Sequence, residues 1–161
     1  MNRRVMIIGS TGVGKTTLLD KLGLKRGKVR KTESIDVDAF YIDTPGEFLD
    51  IPRFYNALIV FSPKARVILL VIDALNPKPF PSNLSKVLRA PVLGVINKID
   101  LLDRRSDGKL DLARRLLKNA GVKEVYEVSA VEGTGMDKLK KRLEELLGNV
   151  FDLERGKDYE C

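Results

Sequence analysis

Short apolar runs recur along the chain with helical patterns between them. Val5 to Ile8, Phe40 to Ile42, Val67 to Ile72, Val92 to Ile96 and Val125 to Val128 read as strands. Lys15 to Leu22, Arg53 to Phe61, Asn83 to Leu88, Leu110 to Asn119 and Met136 to Leu147 carry helical spacing, the last with Leu139, Leu143, Leu146 and Leu147 on one stripe. Strands alternating with helices predict an α/β domain whose parallel sheet is covered by helices. Gly148 reads as a helix stop, which sets a domain over residues 1–148 and a polar tail over 149–161. The stretch Asn76-Pro77-Lys78-Pro79-Phe80-Pro81 reads as a stiff surface connector.

Composition narrows the chemistry. The chain has 161 residues, enough to bury a core without disulfides or metal. It has no histidine, which removes Ser-His-Asp and Cys-His nucleophiles, imidazole bases and histidine metal sites. Its single cysteine, Cys161, can form no intramolecular disulfide, in keeping with a reducing compartment. The apolar runs fall far short of the roughly 20 residues that span a bilayer, and the N-terminus has no signal-peptide pattern. The expectation is a cytoplasmic protein with no membrane span. A formal charge of +7 favours anionic partners in general. Lys25, Arg26, Lys28, Arg30 and Lys31 cluster ahead of Thr32, whereas the tail carries Asp152, Glu154, Asp158 and Glu160.

Directly after the first strand stands Gly9-Ser10-Thr11-Gly12-Val13-Gly14-Lys15-Thr16, a complete G-x-x-x-x-G-K-[ST] between a strand and a helix. Its glycines let the backbone turn tightly, so that successive amides face a polyphosphate. Lys15 reaches the β- and γ-phosphates, and the Thr16 hydroxyl is a hard oxygen ligand suited to Mg²⁺. The cradle therefore comprises Gly9, Ser10, Thr11, Gly12, Val13, Gly14, Lys15, Thr16 and the following Thr17.

Three further segments lie at the ends of apolar runs. Asp43-Thr44-Pro45-Gly46 follows Phe40-Tyr41-Ile42, delivering the Asp43 carboxylate toward the metal through a bound water and the Gly46 amide toward the γ-phosphate. Asn97-Lys98-Ile99-Asp100 follows Val92 to Ile96. The Asp100 carboxylate can accept from the N1–H and 2-amino group of guanine, whereas adenine offers a lone pair at N1 and no 2-amino group. Such a site rejects the wrong base by roughly 10⁴ or more, because its own polar groups would stay unpaired. Asn97 would brace the loop, and the Lys98 stem would cover one face of the base. Ser129-Ala130, with Gly133-Thr134-Gly135 behind it, forms a tight loop whose amide can donate to guanine O6.

In order and placement these four segments resemble the G1, G3, G4 and G5 boxes of the small GTPase-like, translation-factor-related P-loop proteins. Within that class Gly9 to Thr16, Lys31-Thr32, Ile42 to Phe48, Gly94 to Leu101 and Val128 to Gly135 are similar to the EutP/PduV family. The resemblance implies a Rossmann-like P-loop NTPase G domain with a mostly parallel sheet and one antiparallel edge strand between Ser34 and Phe40. It also implies GTP or GDP as bound nucleotide, with Mg²⁺ held by Thr16, Asp43 and a switch I threonine. That role falls on Thr32, the only threonine between Thr17 and Thr44. Lys15, Thr32 and Gly46 are the residues it implies for catalysis. Family members are encoded with ethanolamine or propanediol utilisation systems, which implies a microcompartment or pathway component as protein partner; DNA is not expected.

Departures from the wider class bear on rate. Glu47 stands where many switch GTPases carry a water-orienting glutamine, and a carboxylate beside the γ-phosphate implies slow turnover. Gly12 replaces the asparagine of potassium-activated relatives, and Thr11 fills the position through which an arginine finger would enter. Arg30 and Arg53 are the candidates for charge supplied in cis, with surface salt bridging as their other use. The expected function is a slow Mg²⁺-dependent GTPase switch. The alternatives are a P-loop kinase acting on a small carboxylate and a nucleotide-gated scaffold without significant hydrolysis.

Overall fold

The computed structural model describes residues 3–25, 34–106 and 108–148. Thr32, Arg30, most of the basic run and the tail 149–161 lie outside them. Chain order is β1 (Val5–Ile8), α1 (Lys15–Lys21), β2 (Asp36–Val37), β3 (Tyr41–Asp43), α2 (Glu47–Asp50), α3 (Tyr55–Phe61), β4 (Val67–Asp73), α4 (Leu84–Val87), β5 (Val92–Asn97), α5 (Lys109–Asn119), β6 (Val125–Glu127) and α6 (Met136–Leu147). Single 3₁₀ turns occupy Pro52–Phe54, Ser62–Lys64, Ile99–Leu101 and Arg104–Ser106.

The six strands form one sheet in the order β2-β3-β1-β4-β5-β6. All neighbours are parallel except β2 with β3. That antiparallel edge strand falls where the family resemblance places one. β1 and β4 are apolar at consecutive positions because both faces are covered. Val5, Ile7, Val67, Leu69 and Val71 face Leu18 and Leu19 of α1 and Leu139, Leu143 and Leu147 of α6. Met6, Ile8, Ile68, Leu70 and Ile72 face Leu58 of α3, Leu84 of α4 and Ala113 and Leu117 of α5. No helix among the described residues is long and apolar enough to cross a membrane.

The sheet departs from the hydrophobic pattern at its margins. The pattern over Arg53 to Phe61 resolves into the turn Pro52–Phe54 followed by α3, because proline opens a tight turn rather than a continuous helix. The stretch from Asn83 to Leu88 makes one helical turn, and Asn83 enters it with φ +57. A further short helix, α2, follows Gly46 directly. Chain order reverses at β1, which lies between β3 and β4, and the crevice at the strands' carboxyl ends there is where open α/β sheets bind ligands.

Candidate nucleotide-binding site

The loop between β1 and α1 is held in shape by its own backbone. Gly12 and Gly14 take φ of +86 and +92, a region costly for residues with a Cβ, and a Cβ on Gly14 would come within 2.6 Å of Asn97 Nδ2. The Val13 amide donates to Ser10 O at 3.3 Å, and Lys15 Nζ donates to the carbonyls of Gly9 at 2.7 Å and Ser10 at 3.1 Å. Lys15 is buried, and burial lowers its pKa below the usual lysine value, partly offset by Asp43, Asp50 and Glu47. Thr17 is half-buried in the first turn of α1.

Beside this loop, β3 ends at Asp43, whose side chain is fully buried. The Thr16 hydroxyl donates to Asp43 Oδ2 at 3.1 Å, so two of the three oxygen donors expected at a magnesium ion stand together. Lys25 Nζ lies 3.1 Å from the same oxygen and 3.0 Å from Asp36 Oδ2. Burial acts to lower the pKa of Lys25, but the hydrogen bonds to Asp36 and Asp43 outweigh it and the net direction is upward. A hard hydroxyl, a buried carboxylate and a cation already attracted to it fit magnesium by donor chemistry. Thr44, not singled out from sequence, donates its hydroxyl to Ile7 O at 2.8 Å and pins the end of β3 to β1.

Gly46 lies so close to Thr11 that a Cβ would strike its backbone. α2 then brings Asp50 near the loop, with Oδ2 3.5 Å from the Thr11 amide nitrogen. Glu47 is half-buried at the start of that helix. Arg53 lies over the Phe54 ring, 4.8 Å from its centroid, and that ring stacks on Phe48 at 4.7 Å.

The other half of the site hangs on β5 and the loop after β6. Asn97 is buried, donating Nδ2–H to Val13 O at 2.9 Å and accepting at Oδ1 from the Ala130 amide at 3.0 Å. Ser129 is buried too, and its hydroxyl accepts from the Glu132 amide at 3.1 Å. Lys98 takes φ +68 and sends Nζ back to Gly12 O at 2.5 Å and Asp73 Oδ2 at 3.2 Å. Asp73 is a residue the sequence reading missed. Its Oδ1 accepts from the amides of Leu75 at 2.8 Å and Asn76 at 3.3 Å, so one carboxylate ties the proline-rich connector to Lys98. Its only signal in the sequence is its position, directly after the apolar run of β4. Asp100 stands exposed in the turn Ile99–Leu101 at the mouth of the site.

Thus Gly9 to Thr17, Asp43, Gly46, Asn97, Lys98, Asp100, Ser129 and Ala130 all belong to loops, strand ends or the first turn of α1 at the carboxyl ends of the strands, while Thr32 is outside the described residues. The Ala130 amide donates to Asn97 Oδ1.

A phosphate loop on a doubly wound sheet, with D-x-x-G and N-K-x-D segments at the carboxyl ends of β3 and β5, defines the G domain of the P-loop GTPase class. The likeness extends to solved structures: translation elongation factor SelB from Methanococcus maripaludis, in complex with the GTP analogue GppNHp, superposes with a TM-score of 0.66 at 23% identity. That match covers 92% of this chain, which spans 34% of the SelB chain. The sequence profile described as ethanolamine utilisation - propanediol utilisation matches residues 2–145, and the chain belongs to this PduV-EutP family. It is 34% identical over 138 residues to the propanediol utilization protein PduV of Citrobacter freundii, covering 85% of this chain and 90% of the relative. It is 30% identical over 141 residues to the probable acetate kinase EutP of Escherichia coli K12, covering 85% and 86%.

Proposed function

We propose that this protein binds guanine nucleotide with magnesium and hydrolyses GTP slowly to GDP and phosphate, changing conformation around Gly46 and Thr32. The observation that carries this reading is the double hydrogen bond of Asn97. From three residues ahead of Asp100, it fastens the phosphate loop at Val13 to the Ser129-Ala130 loop.

In this reading the loop amides and Lys15 hold the phosphates, and Lys15 gives up its contacts with Gly9 O and Ser10 O to reach them. Thr16, Asp43 and Thr32 hold the magnesium, which when bound draws negative charge from the β- and γ-phosphates. Gly46 brings its amide to the γ-phosphate. Glu47 orients water poorly because a carboxylate repels that phosphate, hence the slow rate. Membership of the family supports a cytoplasmic role tied to ethanolamine or propanediol utilisation microcompartments, with a protein of that system as partner.

A second reading is favoured by one specific observation, the name carried by the relatives called probable acetate kinase EutP. Here the γ-phosphoryl passes to a small carboxylate instead of water. Product analysis with γ-labelled GTP, with and without acetate or propionate, separates the two. Label in inorganic phosphate under both conditions supports the GTPase, and label in an acyl phosphate overturns it.

A further inference from the structure

Lys25 was first visible only as the leading residue of a basic run. In the fold it has defined partners of its own. The turn after α1 is closed by the amides of Leu24 and Lys25, which donate to Leu19 O at 2.9 and 3.3 Å, and Leu24 is buried beneath it. This anchor aims the Lys25 side chain across the sheet edge. Its ammonium lies 5.4 Å from the centroid of the Tyr41 ring and bridges two carboxylates, Asp36 at 3.0 Å and Asp43 at 3.1 Å.

The two carboxylates are cross-strand partners, since Asp36 pairs with Asp43 in the antiparallel register of β2 and β3. Like charges directly opposite one another destabilise a sheet, so this position requires a cation. Lysine meets the requirement from one side, and a magnesium ion shared with Thr16 would meet it from the other. Both cannot do so fully. Asp43 Oδ2 already accepts from both the Thr16 hydroxyl and the Lys25 ammonium. A metal-bound water turning to that oxygen meets the ammonium already there, and the two positive charges repel.

We propose that Lys25 is a tethered cation that competes with magnesium for the Asp43 carboxylate and thereby sets the free magnesium concentration at which the site retains guanine nucleotide. The inference rests on the nucleotide-binding reading above and adds a residue that tunes its metal requirement. When the metal displaces the ammonium from Asp43, the cation bridge between Asp36 and Asp43 is broken, so metal binding is coupled to the edge strand β2.

The test is the release rate of a fluorescent GDP analogue from the full-length protein, followed across a titration of magnesium chloride buffered with EDTA. Lys25→Met keeps the aliphatic stem over Tyr41 and removes the charge. It is expected to lower the magnesium midpoint at least threefold, while Lys25→Arg stays within threefold of the wild type. A lysine that serves only to join β2 to β3 would change thermal stability and leave that midpoint in place. A shift of less than threefold or an upward shift in Lys25→Met, or an equal drop in Lys25→Arg, overturns the proposal.

Should Lys25→Met fail to fold, the wild type decides alone. Acetylation of Lys25 by acetic anhydride, read by mass spectrometry, is expected to be faster with GDP and magnesium than with GDP and EDTA, and equal rates overturn the proposal. A wild type that binds no guanine nucleotide would overturn the underlying reading, and with it this inference, before any variant is compared.

Discussion

The Asn97 side chain is flanked by two backbone groups that water does not reach, Val13 O and the Ala130 amide, and it satisfies both. Truncation to alanine would leave both unpaired at about 1–3 kcal/mol each. Asn97→Ala is therefore expected to lower the urea midpoint and to weaken GDP binding together, whereas a residue that only contacts the base would affect binding alone. Asp100 is exposed and contributes little to folding, so Asp100→Asn separates the two properties in the other direction. Loss of two charge-assisted bonds to guanine, each about 1.5–3 kcal/mol, predicts a GDP affinity roughly a hundredfold lower or worse. Stability stays unchanged, and preference moves toward xanthine nucleotides; calorimetric titration with GDP, XDP and ADP reads it. At Glu47 a γ-phosphate needs its water positioned more than deprotonated, so Glu47→Gln is expected to hydrolyse GTP as fast or faster in single turnover.

Two strands carry tyrosines whose ionisation is linked to the stability of the sheet. The Tyr41 hydroxyl of β3 donates to Asp36 Oδ2 at 3.1 Å, and that of Tyr126 in β6 donates to Glu124 Oε1 at 2.5 Å. Burial first, then the neighbouring carboxylate, pushes each phenol up to about 12. A pKa raised by folding means that the folded chain holds its proton longer. The stabilisation is complete below the unfolded value of about 10 and is lost as pH rises toward 12. Alkaline unfolding should begin above pH 10, and Tyr126→Phe should make it less steep while lowering stability at pH 7 by no more than about 3 kcal/mol, the upper worth of a hydrogen bond to a charged group. Urea titrations at pH 7 and pH 11 give both numbers.

Elements with a sustained period were the ones most easily read. α5 and α6 each present an uninterrupted apolar stripe, and the structure places them at Lys109–Asn119 and Met136–Leu147. α2 escaped because four residues cannot express a helical period, and its place is set by Gly46 lying against Thr11. α4 shrank to one turn for a related reason: its apolar residues are shared with the connector that packs Phe80 beside Leu84 in the same core.

For the whole molecule, ligand binding and folding are linked by mass action. A nucleotide at 100 times its dissociation constant stabilises the native state by about 2.7 kcal/mol. GDP with magnesium is thus expected to raise the melting temperature by several degrees and ADP with magnesium to leave it unchanged. Equal shifts for the two nucleotides in thermal denaturation would remove the base from the recognition. The segments Gly9 to Thr16, Asp43 to Gly46, Asn97 to Asp100 and Ser129-Ala130 lie far apart in the chain, and their coming together depends on the strand order β2-β3-β1-β4-β5-β6.

That order marks the division between chain and fold. The strands, the two long helices, the phosphate loop and the identity of the residues at each strand end were determined by sequence alone, because period, glycine placement and side-chain chemistry are local properties. Which strands are neighbours was not, since the apolar runs of β1, β4 and β5 are interchangeable in composition and only packing on both faces selects among them. The same holds for Asp73 under Lys98, Thr44 on β1 and Lys25 between Asp36 and Asp43. Each joins residues distant in sequence, and nothing local to a lysine or an aspartate says which opposite charge it will meet once the sheet has closed.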